Sequence, residues 1–264
     1  MESNVIEAKQ ASKFLKGGVN EVKLAFSDLT FSVKHGHRLG LFSVNSYESK
    51  TLLDCFAGVE QPDIGRILHH GSVSWPVGSN KTFHNKLSGY TNSRFAAEIY
   101  SKPGCIEEDL HLIQEITGVN DTIFHEPLES WDGSSRKALK LAVSLAFEFD
   151  VIAVGKIGMW DHREIHPESI RIRKLFEHRI EGRTLVIAAP GQNKFALDYC
   201  DHGMAIIEGR LAYQGDPEIC LEMIKEETQR IKHEFQEQYN ARLAQLLKGE
   251  EDSETDFDDV TLGS

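Results

Sequence analysis

Apolar positions along the chain form two patterns. Residues 39–42, 151–154 and 185–188 are unbroken apolar runs, the mark of parallel strands covered on both faces, and the full set of predicted strands is 22–26, 29–33, 38–42, 73–75, 151–154, 184–188 and 203–207. Between them, apolar residues at three-to-four spacing predict helices over 50–57, 92–100, 107–116, 135–147, 168–177 and 193–198. Strands alternating with helices predict an α/β fold with right-handed crossovers. Toward the end, Asp216-Pro217 reads as a helix start, and Leu221, Ile224, Ile231, Phe235, Tyr239, Leu243, Leu246 and Leu247 mark one amphipathic helix over 217–248. At ~1.5 Å per residue it would span about 45 Å, longer than closure of a small domain requires. Its first half is expected to pack on the body. Its second half has two open readings, a docking element for a partner or second copy, and a solvated helix.

Composition narrows the picture. The 264 residues are 40% hydrophobic and 27% charged, a globular balance that excludes a disordered or fibrous chain. The formal charge is −12, from 41 acidic and 29 basic residues. Glu250, Glu251, Asp252, Glu254, Asp256, Asp258 and Asp259 fall in 249–264, where no Lys or Arg occurs, so that segment is predicted to be a disordered acidic tail. The rest, 34 acids against 29 bases, lacks the cationic excess that phosphate backbones select, and no nucleic-acid partner is expected. Cys55, Cys105, Cys200 and Cys220 include no CxxC pair and read as reduced thiols of a cytosolic protein. Residues 1–10 have no apolar signal core, and the most apolar stretch, 139–154, is broken by Lys140, Glu148 and Asp150, well short of the ~20 residues of a spanning helix. Any membrane association is therefore expected to be peripheral.

Four blocks of sequence then point to a family. The first runs from His37-Arg38-Leu39-Gly40 to Leu52-Leu53 and on through Ala57-Gly58-Val59-Glu60-Gln61-Pro62-Asp63-Ile64-Gly65-Arg66-Ile67. The second is Ser72-Val73-Ser74-Trp75-Pro76 with Gly78, Leu87, Gly89, Asn92, Arg94 and Phe95; the third holds Ser144, Ala146, Phe149, Asp150 and Val151; the fourth runs from Tyr199-Cys200-Asp201-His202-Gly203 to Glu208-Gly209-Arg210-Leu211. In this order, over roughly residues 20–212, they resemble the ATP-binding subunits of ABC transporters, and more closely the subfamily that exports capsular polysaccharide. The resemblance implies a P-loop NTPase-like nucleotide-binding domain over 1–215, a mixed sheet with a helical subdomain at about 90–147, followed by the C-terminal helix of 216–248 and the tail.

The same alignment implies that the family's chemistry is missing. The family's phosphate loop offers three glycines, a Lys and Ser-Thr, because backbone N–H groups close on phosphate while the Lys neutralises it and a hydroxyl holds Mg²⁺. Counted without gaps from Gly40 to Leu52, those positions are Ser43, Ser46, Glu48, Ser49, Lys50 and Thr51: no glycine remains and serine stands for the lysine. Sliding the register to use Lys50-Thr51 needs indels on both flanks and still leaves Val44 and Ser49 for glycines. In the ungapped register Lys50 stands where Mg²⁺ would be held. A carboxylate at Glu48 about 4 Å from phosphate would cost on the order of 4 kcal/mol per charge pair. After Val154 the Mg²⁺-binding Asp and water-activating Glu become Gly155 and Lys156. Gly191 replaces the switch histidine and His84 the lid-loop glutamine, while the signature becomes Asp132, Gly133, Ser134 and Ser135. Phe14 alone is left as an adenine-stacking aromatic, worth ~1–3 kcal/mol.

The resemblance therefore implies a pseudo-ATPase with no catalytic residues and no cofactor. Gly89, Asn92, Arg94 and Phe95 keep the family pattern where coupling helices of the membrane subunit dock. The expected function is a non-hydrolysing scaffold or regulator in surface polysaccharide export. It would lie peripherally on the cytoplasmic face of the inner membrane, with a membrane-embedded subunit, an active homologue or a second copy as partner. Two alternatives stand beside it: a weak Mg²⁺-independent nucleotide sensor using Phe14, Lys50 and Thr51, and a soluble interaction protein that reuses the fold. The vacated pocket is expected to close on an internal ion pair of Glu48 with Lys50 and Lys156, or to hold unrelated solvated charges. No metal site is expected, since His162 and His166 lack a third ligand; His35, His37, His69 and His70 read as surface residues, and Trp131 and Trp160 as packing or contact aromatics.

Overall fold

The computed structural model describes residues 3–16, 22–78, 83–157 and 167–254. Its elements run β1 (Asn4–Lys16), β2 (Val22–Lys34), β3 (Arg38–Ser43), α1 (Ser46–Phe56), β4 (Ile64–His69), α2 (Gly89–Tyr100), α3 (Ile106–Thr117), α4 (Asp121–Phe124), α5 (Gly133–Ala146), β5 (Val151–Val154), α6 (Pro167–Ile180), β6 (Thr184–Ala188), α7 (Asn193–Tyr199), β7 (His202–Ile207), β8 (Arg210–Gly215) and α8 (Pro217–Glu254). A five-stranded sheet has the order β5-β6-β3-β7-β8, and an antiparallel sheet the order β2-β1-β4. The four apolar strands β5, β6, β3 and β7 are parallel and buried, whereas β8 returns antiparallel to β7. Glu208 and Gly209 close that hairpin, both at positive φ (51° and 72°), the two-residue turn whose twist matches the flanking strands.

Three apolar cores follow from these layers. One lies between the two sheets around α1, with Phe26, Leu41, Leu52, Leu53 and Phe56. A second, on the other face, collects β3, β5 and β6 residues with α6, α7 and the start of α8. The third belongs to the helices α2 to α5 and gathers Trp75, Phe124, Leu128, Trp131 and Phe147. The indole of Trp75 donates to Ser144 Oγ at 2.9 Å and that of Trp131 to the Glu126 carbonyl at 3.2 Å, so both rings are packing residues. Trp160, His162 and His166 lie outside the described residues.

Several elements differ from the sequence expectation. Segments 22–26 and 29–33 are one strand, carried through Asp28 at φ 50° with its N–H donating to Ser12 Oγ. Segment 73–75 makes one isolated bridge to β5, Val73 to Val151, and Val77 beyond it makes another to Val154. The Ser74 hydroxyl accepts from Ala153 N–H in place of a main-chain rung, and Pro76 has no N–H to give. Strands β1, β4 and β8 are additional. β1 shifts register against β2 repeatedly, which breaks the two-residue alternation that reveals a strand.

The last helix also departs from expectation. α8 extends over 38 residues to Glu254, so the first residues of the expected tail are helical; Gly249 costs only about 1 kcal/mol inside a helix, and the good helix formers Leu247 and Lys248 before it and Glu250 and Glu251 after it favour the helix. Residues 255–264 lie outside the described residues. Cys220, Leu221 and Ile224 anchor the helix on β7, where a Cβ at Gly203 would sit 2.6 Å from Cys220 Sγ. From Gln229 to Arg242 every residue is exposed, Phe235 at 70%.

Candidate functional site

A cavity of about 700 Å³ opens at the C-terminal ends of β3, β5 and β6, where loops of a parallel sheet converge. Ser46, Ser49, Lys50, Leu53 and Asp54 of α1 line one wall; Lys137, Lys140 and Leu141 of α5, Pro76 and Gly78, and the loop Gly155-Lys156-Ile157 form the others; Ala188, Pro190 and Gly191 close the base. The helix period selects the α1 set, since Ser46, Ser49, Lys50 and Leu53 are i, i+3, i+4 and i+7 on one face.

That period turns Glu48 away. It is 1% exposed, and its carboxylate accepts from Asn45 N–H at 3.4 Å and from Gly209 N–H at 3.2 Å. Glu48 thus ties the start of α1 to the β7–β8 turn, and Gly209 O in turn accepts from Ser27 N–H. The expected ion pair of Glu48 with Lys50 and Lys156 does not form. Lys50 instead pairs with Asp54 one turn along at 3.1 Å, and Lys156 makes no ion pair among the described residues. Nor does Glu48 face the space where an anion would sit, so the electrostatic cost expected of it does not arise there.

Other candidates divide in the same way. Ser43 is buried, its hydroxyl donating to Asn45 O, and Thr51 is buried off the cavity face. Phe14 lies on β1, 40% exposed, its N–H held by the Asp63 carboxylate; it is not among the cavity residues. The constellation Phe14, Lys50 and Thr51 is therefore not assembled around one space. His84 is fixed through its backbone to the Asn92 side chain, away from the cavity, and residues 79–82 of that loop lie outside the described residues. The signature residues cap α5: the Asp132 carboxylate accepts from Ser134 and Ser135 N–H at 2.8 and 2.9 Å, which holds it below the usual carboxylate range.

Among the expected docking residues, Gly89 and Asn92 are interior. A Cβ at Gly89 would meet the Trp131 ring at 2.5 Å, and Asn92 bonds His84, Leu87 and Ser88 of its own loop. Arg94 is held by Glu98 and by the Tyr90 hydroxyl, leaving Phe95, 65% exposed, as the open side chain of the four.

Sequence reasoning missed the other cationic wall. Lys137 and Lys140 stand three apart on α5 and so share a face, a spacing visible in the sequence although its neighbour across the cavity is not. Burial, and then Arg136, pull the Lys140 pKa down. Gln192 was also missed: its amide donates to the carbonyls of Gly155 and Ala188 and accepts from Ile157 N–H, fastening the loop after β5 to the loop after β6. Gly191, at φ 79°, lies beneath Lys156, whose Nζ would be 3.9 Å from a Cβ there.

Magnesium demands oxygen donors in near-octahedral array. Among the described residues the cavity supplies one carboxylate, Asp54, already engaged by Lys50, and four ammonium groups, so those residues do not fit that ion. Position 155 is tight as well, since a Cβ would lie 3.1 Å from Val77 O. No cluster of three His, Cys, Asp or Glu residues suited to a metal occurs among the described residues.

Solved structures of the same architecture decide the fold. The dimeric cassette MJ0796 bound to ADP and Pi superposes with a TM-score of 0.64 at 13% identity, covering 80% of this chain and 98% of that one. The fold is an ATP-binding cassette. A second cassette, cbiO1 from Clostridium perfringens, covers 94% of the chain at a TM-score of 0.55 and 19% identity. No family model matches the sequence. Individual proteins do: the polysialic acid transport ATP-binding protein KpsT of Escherichia coli is 29% identical over 176 residues, 67% of this cassette and 76% of that protein. The capsule polysaccharide export ATP-binding protein CtrD of Neisseria meningitidis serogroup B is 28% identical, over 70% of this chain and 82% of its own. No helix among the described residues is long and apolar enough to cross a membrane.

Proposed function

We propose that this cassette is a non-hydrolysing homologue of ABC ATP-binding subunits that acts as a scaffold or regulator in surface polysaccharide export. The observation that carries it is the acid content of the cavity. Among the described residues Asp54 is its single carboxylate and is neutralised by Lys50 at 3.1 Å, while Gly155 and Lys156 stand where the strand end would present a metal ligand and a base. The export context rests on the similarity to KpsT and CtrD, whose names place them in polysialic acid transport and capsule polysaccharide export. Its partner on this reading is a membrane-embedded exporter subunit, reached at the cytoplasmic face, with an active homologue or a second copy beside it.

Steady-state phosphate release from ATP with excess Mg²⁺ tests the chemistry. The expected rate is indistinguishable from buffer. Turnover that requires Mg²⁺ and disappears in Lys50→Ala or Thr51→Ala would overturn the proposal. Co-purification with the membrane subunit of a polysaccharide exporter tests the context, and a chain that never accompanies one favours reuse of the fold elsewhere.

A further inference from the structure

The exposed half of α8 continues the face that anchors its first half. At ~100° per residue, Leu221, Ile224, Ile231, Phe235, Tyr239 and Leu243 fall in one sector about 120° wide, so a single apolar stripe runs from the covered turns into the uncovered ones. Leu221 and Ile224 are buried on the body, whereas Ile231, Phe235, Tyr239 and Leu243 are 40%, 70%, 56% and 44% exposed. On the opposite side Arg230 is already held by Glu208, Glu227 and Glu234. Large apolar side chains repeated along one face, beside a polar face that pairs with itself, mark a docking surface. Where α8 leaves the body, its covered face opens on a groove of about 360 Å³ between the helix and the loops after β3 and β6. The charged residues of that groove are Lys225 and Lys232, which make no ion pair among the described residues, and no described carboxylate lines it.

We infer that this stripe pairs with the same stripe of a second copy, the two α8 helices antiparallel and the acidic end of each crossing the lysine groove of the other. A two-fold pair requires a surface complementary to itself. Setting Tyr239 against Leu243 of the copy brings position 247, a Leu in the sequence, opposite Phe235, and position 250, a Glu, opposite Lys232. An antiparallel pair joins like edges of its two helices, and positions 232 and 250 lie about five turns apart, so they share an edge. Beyond position 250 the sequence continues with Glu251, Asp252 and Glu254 and no Lys or Arg, the charge that the groove of Lys225 and Lys232 lacks. The apolar stripe supplies the attraction and the charges fix the direction: a parallel pair would set the two lysine grooves side by side and the two acidic ends together. A pair of single helices is a small interface, so dissociation in the micromolar range is expected, and unfolding measured below that range reads the single chain. The inference goes beyond the proposed function and holds whether or not the cassette hydrolyses ATP.

Sedimentation velocity of the full chain across the micromolar range tests this. A monomer–dimer equilibrium is expected, unchanged by ATP and Mg²⁺. Phe235→Asp, at an exposed position, is expected to abolish the dimer while thermal unfolding of the dilute chain is unchanged. Lys232→Glu and Glu250→Lys are each expected to weaken dimerisation several-fold, and the double variant to restore it, because the exchanged charges meet again across the antiparallel pair. A chain that stays monomeric at every concentration overturns the inference and leaves the stripe to a different protein. A dimer that survives Phe235→Asp, or that requires ATP and Mg²⁺, places the contact elsewhere and overturns it as well. Failure of the double variant to recover overturns the antiparallel pairing.

Discussion

At the scale of single residues, Glu48 is a structural part of the start of α1, the segment that the resemblance compares with a phosphate loop. An isolated buried carboxylate is costly, and this one is retained because two main-chain N–H groups point at it. Burial nevertheless dominates and raises its pKa above the usual 4.5, the Asn45 and Gly209 bonds pulling the other way. A group whose folded pKa is raised contributes most when protonated, so its stabilisation is full below pH 4.5 and is lost as pH rises through the folded value. Urea unfolding should therefore show Glu48→Gln gaining on the native chain as pH increases above that point. Glu48→Ala leaves both N–H groups unpaired and should cost about 1–3 kcal/mol. A pH-independent difference between the native chain and the Gln variant would refute the assignment. The thiols give a second check: burial pushes Cys55 up to about 12 and Cys220 up to about 11, so a thiol reagent near neutral pH should modify the half-buried Cys105 first. Labelling of Cys55 or Cys220 in the folded chain would contradict their packing.

At the scale of elements, what was legible in the sequence was what obeys a period. β3, β5 and β6 announced themselves as apolar runs because both faces are covered, and the helix pattern located α2, α3 and α5. β1 did not, because its bulges move Ala8 and Ala11 out of alternation, and β4 did not, because most of it is exposed. At the site, the sequence placed Lys50 and Lys156, but not the direction of Glu48 or the approach of α5, since both depend on packing between distant segments. α8 shows the same division. Its apolar residues continue at helical spacing through Leu243, yet only the first turns are covered, because the body ends where β7 ends. Chain termination after Lys232 should therefore change the free energy of unfolding by no more than about 0.5 kcal/mol. Leu221→Ala, within the covered turns, should cost about 2–4 kcal/mol. Comparable losses from the two changes would mean that the exposed half packs on the body after all.

At the scale of the whole molecule, the question is what would bring two cassettes together. In the family resemblance the signature segment serves the nucleotide of a partner, and magnesium-bound nucleotide is then the adhesive between copies. Here the start of α5 is occupied with capping itself through Asp132, and the cavity presents lysines where a metal-bound phosphate would be received. The chain carries a formal charge of −12, so two copies repel at long range unless an interface offsets it, and that repulsion is screened within about 8–10 Å at physiological salt. On the proposed reading nucleotide with magnesium supplies no new contact between copies, and salt acts on self-association more than nucleotide does. Sedimentation velocity should give the same species distribution with and without ATP and Mg²⁺, while any association present should strengthen as salt rises. A shift to dimer that requires both ATP and Mg²⁺, and that is lost when Ser134 and Ser135 are replaced by bulky residues, would restore the nucleotide sandwich. It would also remove the basis for reading this cassette as non-hydrolysing.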